Sequence, residues 1–487
     1  MNHTQDLSRI IGELTPFTDT DKQMQRQQRR AKTCASLEEA VRRSGLRDGM
    51  TVSFHHAFRG GDLTLNLVMN QLAAMGFKNM TLASSSLSAC HAPLIDHIRN
   101  GVVTRIYTSG LRGPLAEEIS RGLMEHPVHI HSHGGRAHLV KSGELHIDVA
   151  FLGVPACDDM GNANGYTGSA TCGSLGYAMV DAQHAAQVVL LTEDILPYPH
   201  HPASIRQDQV DLVVQVSCVG DAEKIGADAT RMTSNPRELQ IAQNAAQVIE
   251  ASGYFREGFS LQTGTGGASL AVTRFLGEKM RRKNIRADFA LGGITATIVG
   301  LHEEGYIRRL LDVQGFDSVA ARSLARNPDH IEISANEYAN FSAKGASVNK
   351  LDVVVLSALE IDTGFNVNVL TGSDGVLRGA SGGHCDTAVG SALSIIVAPL
   401  VRGRIPTVVD KVLTRITPGS SVDVLVTDHG VAVNPARPEL AQRLQAAGLK
   451  TVTVEWLRDR ARQLTDEPQP SPLPINLSLS CAIGMVR

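Results

Sequence analysis

The chain has 487 residues, of which 43% are apolar and 20% are charged, with a formal net charge of −3. This composition is typical of a soluble globular protein with more than one domain, and the lack of a basic cluster outside residues 26–32 excludes the charge pattern of a nucleic-acid-binding protein. The seven cysteines include no CxxC pair, which argues against a disulfide framework and against a zinc site.

Residues 1–35 are polar, follow no apolar period and are predicted to form an N-terminal arm. They lack a charged segment followed by an apolar core, and no window of the chain approaches the roughly eighteen apolar residues of a membrane span. We therefore expect a cytoplasmic protein without a membrane segment.

The next part of the chain alternates between strand and helix patterns. The spacing of Ser36 and Glu39 is that of a capping box and predicts a short helix that ends at Gly45. Further on, apolar runs predict strands, and apolar residues at helical spacing predict helices. The predicted strands are 50–55, 80–83, 103–107, 149–154, 188–192 and 212–216, and the predicted helices are 63–75, 93–100 and 114–125.

A second series of elements begins near Asn235. Strands that alternate with helices favour a mainly parallel sheet that is covered on both faces. In each series a glycine turn, at 58–62 or at 264–267, links a strand to a helix, and ligands of open α/β sheets bind at the carboxyl ends of strands. Both turns should therefore lie near a binding crevice. The predicted helices of this series are 236–251, 270–280 and 437–447, and the predicted strands are 259–262, 351–356, 422–427 and 451–454.

One offset of 204 residues relates the two series, because residues 148–152 match residues 352–356. We therefore predict two copies of one α/β domain, at residues 36–234 and 235–487. The other pairs at this offset are Asp158 and Asp362, Asn162 and Asn366, Asn164 and Asn368, and residues 167–169 and 371–373.

The most informative stretch covers residues 357–386, which follow an apolar strand and end in a glycine-rich loop. The backbone N–H groups of such a loop can approach a ligand closely, and a carbonyl oxygen that gains negative charge during acyl transfer needs such donors. A tight turn without a catalytic role is the alternative. The residues predicted to form an oxyanion or thioester site are Gly266, Gly267, Gly379, Gly382 and Gly383.

This stretch resembles the coenzyme A transferase superfamily, in which a similar Ser-Ala-Leu-Glu run precedes a glycine loop and an aspartate. The matching residues are 357–360, Asp362, Gly364, 367–368, Gly379, 382–383 and Asp386, together with 413–416 and 426–432. Over residues 36–480, with motifs at 55–62, 262–269 and 292–305, the chain is most similar to the family of citrate lyase alpha chains.

The resemblance implies two tandem, internally repeated coenzyme A transferase-like α/β domains with mainly parallel sheets. It implies a citrate acyl-carrier-protein transferase, in which citrate displaces acetate from the acetyl carrier protein. The implied partners are the acyl carrier protein (gamma) and citryl lyase (beta) subunits of an oligomeric complex. No metal and no tightly bound cofactor is implied, because the acyl group is carried by the phosphopantetheine-type group of the carrier, or by coenzyme A, as in acetyl-CoA.

Two other functions stay open at this point. A general acyl-CoA:carboxylate transferase, or the alpha chain of a citramalate lyase or malonate decarboxylase, would share the scaffold and differ in its pocket side chains. A non-catalytic subunit that only docks the carrier protein and the lyase would have degenerate sites.

One departure from the transferase pattern concerns the nucleophile. Acetate-type transferases attack the thioester with a glutamate in a Gly-Ile-His-[Ser/Thr]-Glu-Met-like run, which corresponds to residues 293–298 and places Thr297 at the glutamate position. A neutral hydroxyl without an activating base is a poor substitute for a carboxylate. We therefore predict that a carboxylate of citrate attacks the acetyl thioester directly, without a covalent enzyme intermediate.

The remaining candidates are residues for binding citrate and two carboxylates. A tricarboxylate needs cations, and a guanidinium suits a carboxylate, which favours Arg59 in its polar loop. Glu337 is a rival nucleophile, because another branch of transferases places its glutamate in a Ser-Glu-Asn run, but a surface role is favoured. For Glu360 we favour a structural role. The predicted substrate-binding residues are His55, His56, Arg59, Gly60, Gly61, Asn366 and Asn368.

Three histidines alternate at His129, His131 and His133. On a strand they would share one face, which is the geometry of a metal site. No carboxylate at helical spacing joins them, so we favour local hydrogen bonding or contact with substrate.

Overall fold

The computed structural model describes residues 31–226, 233–264 and 266–465. Residues 1–30 of the predicted N-terminal arm and most of the basic run at 26–32 lie outside the described residues.

Within these ranges, the strands form two nine-stranded sheets that are mainly parallel. The order of the first sheet is β1-β9-β8-β6-β2-β3-β4-β5, with β7 antiparallel to the end of β6. All ten residues of β6 are buried, as expected for a central strand with both faces covered. The strands are β1 (Thr33–Cys34), β2 (Thr51–Phe54), β3 (Met80–Ser84), β4 (Val103–Thr108), β5 (His129–Ile130), β6 (Val149–Asp158), β7 (Ala163–Asn164), β8 (Gln187–Leu196) and β9 (Leu212–Gln215).

The first helix begins at a residue that caps it. The hydroxyl of Ser36 accepts from the N–H of Glu39 at 3.1 Å, which is one half of the predicted capping box. The Glu39 carboxylate accepts from the N–H of Ala35 at 2.7 Å, whereas a capping box would use the N–H of Ser36, so the second half of the box is not formed. The helices of the first half are α1 (Leu37–Arg43), α2 (Thr64–Ala74), α3 (Leu94–Arg99), α4 (Pro114–Ser120), α5 (His133–Ser142) and α6 (Gly176–His184).

The second sheet has the order β13-β12-β11-β10-β14-β17-β21-β22-β23, in which β21 and β22 form the antiparallel pair. Short strands β15, β16 and β20 form a separate small sheet, and β18 pairs with β19. The strands are β10 (Phe259–Thr263), β11 (Ala287–Ile294), β12 (Ile307–Gly315), β13 (His330–Glu332), β14 (Val353–Ser357), β15 (Glu360–Asp362), β16 (Val367–Asn368), β17 (Leu393–Val397), β18 (Val401–Arg402), β19 (Ile405–Pro406), β20 (Val408–Val409), β21 (Val424–Val426), β22 (Val431–Val433) and β23 (Thr451–Val452).

The first helix of the second half spans the predicted residues. Asn235 caps it by accepting from the N–H of Arg237 at 3.0 Å, and Pro236 occupies the first helical position, where its missing N–H costs nothing. The helices are α7 (Pro236–Ala251), α8 (Gly267–Lys283), α9 (Ala296–Glu303), α10 (Ser318–Arg326), α11 (Ala335–Ala339), α12 (His384–Gly390), α13 (Pro438–Ala446) and α14 (Val454–Thr465).

The two sheets share one strand order. The run β5-β4-β3-β2-β6-β8-β9 of the first sheet corresponds to β13-β12-β11-β10-β14-β17-β21 of the second. The strand register repeats as well. Ala156 pairs with Asn164 in the first sheet, and Glu360 pairs with Asn368 in the second half, so both residues of the second pair lie 204 positions after those of the first. The predicted fold class, an internally repeated α/β protein with mainly parallel sheets, is confirmed.

Side-chain hydrogen bonds repeat along with the register. One carboxylate oxygen of Asp158 accepts from the backbone N–H groups two and four residues further on at 3.0 and 2.9 Å, and Asp362 does the same at 2.9 and 2.9 Å. The amide oxygens of Asn164 and Asn368 each accept from the N–H groups two and three residues further on. The residues that the sequence repeats are therefore the residues that build the same turn twice.

No helix among the described residues is long and apolar enough to cross a membrane.

Candidate active site

The carboxyl edges of the two sheets meet, and four of the predicted site residues, His56, Arg59, Gly382 and Gly383, lie at this junction. Gln314, in β12, donates to the backbone carbonyl of His56 at 3.0 Å, and the N–H of His133 donates to the carbonyl of Gly382 at 2.8 Å. We call this region the inter-sheet cleft. It is defined by His56, Arg59, His133 and Tyr177 of the first half and by Gln262, Phe316, Tyr338, Gly382, Gly383 and Asp386 of the second half.

The glycine-rich loop of the second half reaches across to the first sheet. A Cβ on Gly379 would lie 2.0 Å from the carbonyl oxygen of Val369, so this glycine is required by packing. Gly382 has a φ of 54°, a left-handed conformation that favours glycine. The N–H groups of Gly382 and Gly383 donate to no acceptor among the described residues. These two donors are therefore available to a ligand.

The other predicted glycine turn packs at the end of β14. The N–H of Gly264 donates to the carbonyl of Val355 at 2.9 Å, and a Cβ on Gly266 would lie 2.4 Å from the hydroxyl oxygen of Ser357. A Cβ on Gly267 would lie 3.0 Å from a carboxylate oxygen of Glu238. Close packing explains why Gly266 and Gly267 lack side chains, and their role towards a thioester stays a prediction.

His55 is a structural residue. Its ring is 5% exposed, and it donates from Nε2 to the carbonyl of Gly153 at 2.7 Å while Nδ1 accepts from the N–H of Ala57 at 3.2 Å. Both ring nitrogens are thereby used, so the contacts of His55 do not support its predicted role in binding substrate.

His56, by contrast, is partly exposed in the cleft. Its ring lies 4.6 Å from that of Tyr177 and 5.4 Å from that of His133, and its Nδ1 shares a hydrogen bond with the hydroxyl of Ser85. Burial, and then the positive charge of Arg136, lower the pKa of His133 to about 3, and burial also lowers the pKa of His56 well below its usual value. Both rings are therefore neutral at neutral pH and act as hydrogen-bonding groups, not as cations.

Arg59 places a cation at the cleft. Its guanidinium carbon lies 4.3 Å from the ring centroid of Phe316, which belongs to the other half of the chain. Its backbone has a φ of 56°, and it begins a 3₁₀ turn with Gly60 and Gly61. A Cβ on Gly61 would lie 2.6 Å from the carbonyl oxygen of Asp221, so this glycine lets the turn pack tightly. The contacts support Gly61 only as backbone that positions Arg59, and the role of Gly60 stays a prediction.

Asp386 is the carboxylate-bearing residue among the residues that define the inter-sheet cleft. It accepts from the hydroxyl of Ser132 at 2.6 Å and from the N–H of Gly134 at 2.9 Å, at the start of α5 in the other half. Burial raises the pKa of Asp386 to about 6. Because both oxygens are occupied, this carboxylate joins the two halves rather than facing a substrate.

The four remaining candidates are not among the cleft residues. The amide nitrogen of Asn368 donates to the buried Glu360 carboxylate at 2.9 Å, and both amide nitrogen contacts of Asn366 go to Asp362 at 3.1 Å. Burial raises the pKa of Glu360. Glu337 is exposed in the first turn of α11. These contacts favour structural roles for Asn366, Asn368 and Glu360 and a surface role for Glu337.

Thr297 is the second residue of α9 and is partly exposed. Within the described part of the chain, its hydroxyl has no hydrogen-bond partner. A hydroxyl without a base beside it is not activated as a nucleophile.

The three alternating histidines do not share a strand, so the face that a metal site would need is not formed, and the hydrogen bond of His133 to Tyr177 agrees with the favoured local hydrogen bonding. His129 lies in β5 and stacks on Tyr107 at 4.4 Å, whereas His133 is the first residue of α5. The run leaves the extended conformation because Ser132 caps the helix by accepting from the N–H of Gly135 at 2.9 Å. Among the described residues, no three His, Cys, Asp or Glu side chains are grouped closely enough to hold a metal ion.

Three residues of the cleft were missed by sequence reasoning. Tyr177 shares a hydrogen bond of 2.6 Å with Nδ1 of His133, and Gln262 donates to the hydroxyl of Tyr338 at 2.8 Å. No motif marks Tyr177, which is a single polar residue within an ordinary helix. Gln262 opens the motif at 262–269 and Tyr338 follows Glu337, but nothing in the sequence indicates that these two side chains meet.

Comparison with known proteins gives a consistent result. A family model described as "Citrate lyase, alpha subunit (CitF)" matches residues 30–476. The citrate lyase alpha chain of Escherichia coli is 77% identical over 460 residues, which cover 94% of this chain and 90% of the relative. That of Haemophilus influenzae is 71% identical over 438 residues, which cover 90% of this chain and 88% of the relative.

Solved structures agree with these relatives. A crystal structure of a citrate lyase alpha subunit from Streptococcus mutans, in complex with citrate, is 56% identical with a TM-score of 0.89, covering 91% of this chain and 87% of that chain. A malonate decarboxylase alpha subunit from Acinetobacter baumannii is 16% identical with a TM-score of 0.65, covering 91% and 94%. The second likeness concerns the fold alone.

Proposed function

The chain belongs to the family of citrate lyase alpha subunits and is the acyl transferase subunit of that enzyme, and we propose that it replaces acetyl by citryl on the thioester of an acyl carrier protein without a covalent enzyme intermediate. The activity is of the coenzyme A transferase type.

One observation carries the mechanism: donors for an acyl oxygen and a cation for a carboxylate lie in one cleft. The free N–H groups of Gly382 and Gly383 come from the second half, and Arg59 comes from the first half and contacts the second. Both substrates can then be held together, and correct placement of two reactants is worth up to about 7–11 kcal/mol of barrier.

The proposed reaction has two steps and needs no proton transfer. A carboxylate oxygen of citrate attacks the acetyl carbonyl, the C–S bond breaks, and the electron pair leaves with the carrier thiolate. The thiolate then attacks the citryl carbonyl of the mixed anhydride, and acetate leaves. In each step a carbonyl oxygen gains negative charge, which the N–H groups of Gly382 and Gly383 stabilise.

The absence of an enzyme nucleophile is supported by where the carboxylates lie. Glu337 is exposed, Glu360 is buried against Asn368, and both oxygens of Asp386 accept hydrogen bonds from the other half. Thr297 has a neutral hydroxyl in place of the glutamate of acetate-type transferases.

The proposed partners are an acyl carrier protein and a citryl lyase subunit. The phosphopantetheine-type group of the carrier would present the thioester to the cleft, and coenzyme A would replace it as a free carrier. Citrate as the ligand is supported by the Streptococcus mutans relative, which is described in complex with citrate.

The test uses the purified chain with acetyl-CoA as a surrogate for the acetyl carrier protein. Citrate, citramalate, malonate and acetate are supplied in turn, and the thioester formed is identified by mass spectrometry. We expect citryl-CoA as the main product. Preferred formation of citramalyl-CoA or malonyl-CoA would favour the related lyase or decarboxylase subunits, and a lack of any exchange would favour a subunit that only docks its partners.

A further inference from the structure

Gln262 and Tyr338 form a buried polar pair behind the glycine-rich loop. Gln262 lies near the end of β10 and is 8% exposed, and Tyr338 lies in α11 and is 2% exposed. The amide nitrogen of Gln262 donates to the hydroxyl of Tyr338 at 2.8 Å. Gly292, at a φ of 97°, makes room for the side chain of Gln262, because a Cβ on Gly292 would lie 2.7 Å from the amide carbon of Gln262.

The Gln262–Tyr338 pair has a hydrogen-bond donor that no acceptor of the protein uses. The amide oxygen of Gln262 is buried without a partner among the described residues, and no described acceptor takes the proton of the Tyr338 hydroxyl. If the amide is turned over, the tyrosine proton goes to the amide oxygen and the amide N–H groups are left unused. In both orientations the pair therefore keeps a buried donor for which the protein supplies no acceptor, and buried polar groups are normally paired.

In the orientation that the structure has, the Gln262 amide nitrogen donates to the tyrosine oxygen, so the unused donor is the Tyr338 hydroxyl, and it lies at the glycine loop. A Cβ on Gly383 would be 2.7 Å from the hydroxyl oxygen of Tyr338, so the tip of the phenol sits directly against the Cα of Gly383. Gly383 is partly exposed, and its N–H and that of Gly382 are the free donors described above. Three donors without acceptors thus lie together, two from the backbone and one from a side chain.

We propose that the hydroxyl of Tyr338 donates to the acyl oxygen of the thioester, beside the N–H groups of Gly382 and Gly383, and strengthens that bond as the oxygen becomes an oxyanion. Gln262 is a positioning residue that acts through Tyr338 by fixing the direction of its proton. Burial raises the pKa of the phenol, which keeps the proton in place at neutral pH. This inference rests on the proposed acyl transfer and adds a side chain to its oxyanion site.

The first test is Tyr338→Phe, which removes one oxygen and keeps the ring that packs in the core. Loss of one donor to an oxyanion lowers kcat by about 10²–10³-fold, and KM for acetyl-CoA and for citrate should stay within about threefold of the parent. Tyr306→Phe is the matched control, because this tyrosine is partly exposed and contacts Arg281 on the surface. A Tyr338→Phe chain that melts like the parent and keeps its kcat would overturn the proposal.

The second test concerns Gln262. Gln262→Met keeps the volume and removes the amide, and it should lower kcat by less than Tyr338→Phe does. The double variant should be no slower than Tyr338→Phe alone, because Gln262 acts only through the phenol. Effects that multiply in the double variant would contradict the positioning role.

A third readout does not depend on turnover. S-acetonyl-CoA, a ketone analogue whose carbonyl cannot transfer, is bound to the parent and to Tyr338→Phe, and its C=O stretching frequency is measured by infrared spectroscopy. A lower frequency in the parent than in the variant is expected, and equal frequencies would overturn the contact. If the parent fails to make citryl-CoA while the frequencies differ, the proposed reaction fails and the donor site stands.

Discussion

At the scale of a single residue, Arg59 connects the two halves of the molecule, because it belongs to the first half and its guanidinium stacks on the ring of Phe316 in the second half. We predict that Arg59→Gln raises KM for citrate by roughly tenfold to a hundredfold, because a hydrogen bond to a charged group is worth about 1.5–3 kcal/mol. The decrease in kcat should be smaller, because we expect Arg59 to contact a carboxylate that is remote from the bond that forms. Initial rates against citrate at saturating acetyl-CoA measure both constants.

Arg99→Gln is the control for this prediction. Arg99 is an exposed arginine of α3 that pairs with Glu118 at 3.0 Å, and neither residue is among the cleft residues. An Arg59→Gln chain whose KM for citrate equals that of the Arg99→Gln chain would remove Arg59 from the citrate site.

Asp386 makes the stability of the chain depend on pH. Its pKa in the folded chain is raised to about 6 from an ordinary value of 3.8, so its contribution to stability is fully present below pH 3.8 and is lost as the pH rises through about 6. Asp386→Asn cannot ionise and keeps groups that hydrogen-bond to Ser132 and Gly134. Its stability relative to the parent should therefore increase between pH 4 and pH 7, by up to about 3 kcal/mol.

Urea unfolding of both chains at several pH values measures this difference. The buried histidines affect stability in the opposite direction. His133, for example, has its pKa lowered to about 3, so its contribution to stability is fully present above pH 6.5 and is lost as the pH falls. Those rings are present in both chains, so they cancel in the comparison. A stability difference that stays flat across this range would mean that Asp386 titrates normally.

The sequence predicted some of these residues and not others for physical reasons. Arg59 and the two glycines at 382 and 383 were found because a cation in a polar loop and a glycine-rich turn carry chemistry in their residue types. His55 and His56 are neighbours of the same type, and only the fold decides that one is enclosed by Gly153 while the other faces the cleft.

At the scale of elements, the turn after the central strand is built twice. Asn368 connects a buried carboxylate to the turn, since its amide nitrogen donates to Glu360 and its amide oxygen accepts two backbone N–H groups. Asn368→Ala should lower the free energy of unfolding by at least about 2 kcal/mol, because it leaves buried groups without partners. Asn164→Ala, at the equivalent position, should have a comparable effect.

Asn349→Ala is the control, because this asparagine is exposed and its loss should change the stability by no more than about 0.5 kcal/mol. Thermal or urea unfolding compares the three variants. If Asn368→Ala and Asn349→Ala are equally stable, the repeated turn does not contribute to the fold in the way the hydrogen bonds indicate.

Several elements with a clear apolar pattern were predicted to within a few residues, as for the helix at 236–251. Two elements rich in glycine were missed. The strand Ala287–Ile294 contains two adjacent glycines, and the helix His133–Ser142 begins with a histidine and two glycines, which weaken the apolar period and the helix propensity. Burial between neighbouring elements, which a local pattern does not contain, stabilises both.

At the scale of the whole molecule, two copies of one sheet bring their carboxyl edges together. The offset of 204 residues predicted the copies, and the shared strand order and register agree with it. The contacts across the cleft were beyond prediction, since Ser132 and Asp386 are 254 residues apart and meet only because the sheets face each other. A site formed between two repeats is therefore the part of the structure that sequence patterns describe least.

The central claim is that the two halves hold citrate and the acyl thioester together and that no enzyme side chain carries the acyl group or the thiol. The most direct test is the intact mass of the chain after incubation with acetyl-CoA alone, in the absence of citrate, under conditions in which added citrate gives rapid exchange. We predict an unchanged mass and no release of coenzyme A until citrate is added. A chain that gains the mass of coenzyme A or of an acetyl group, with the adduct located on Glu337, Glu360 or Thr297, would contradict the account and would make this protein a covalent transferase.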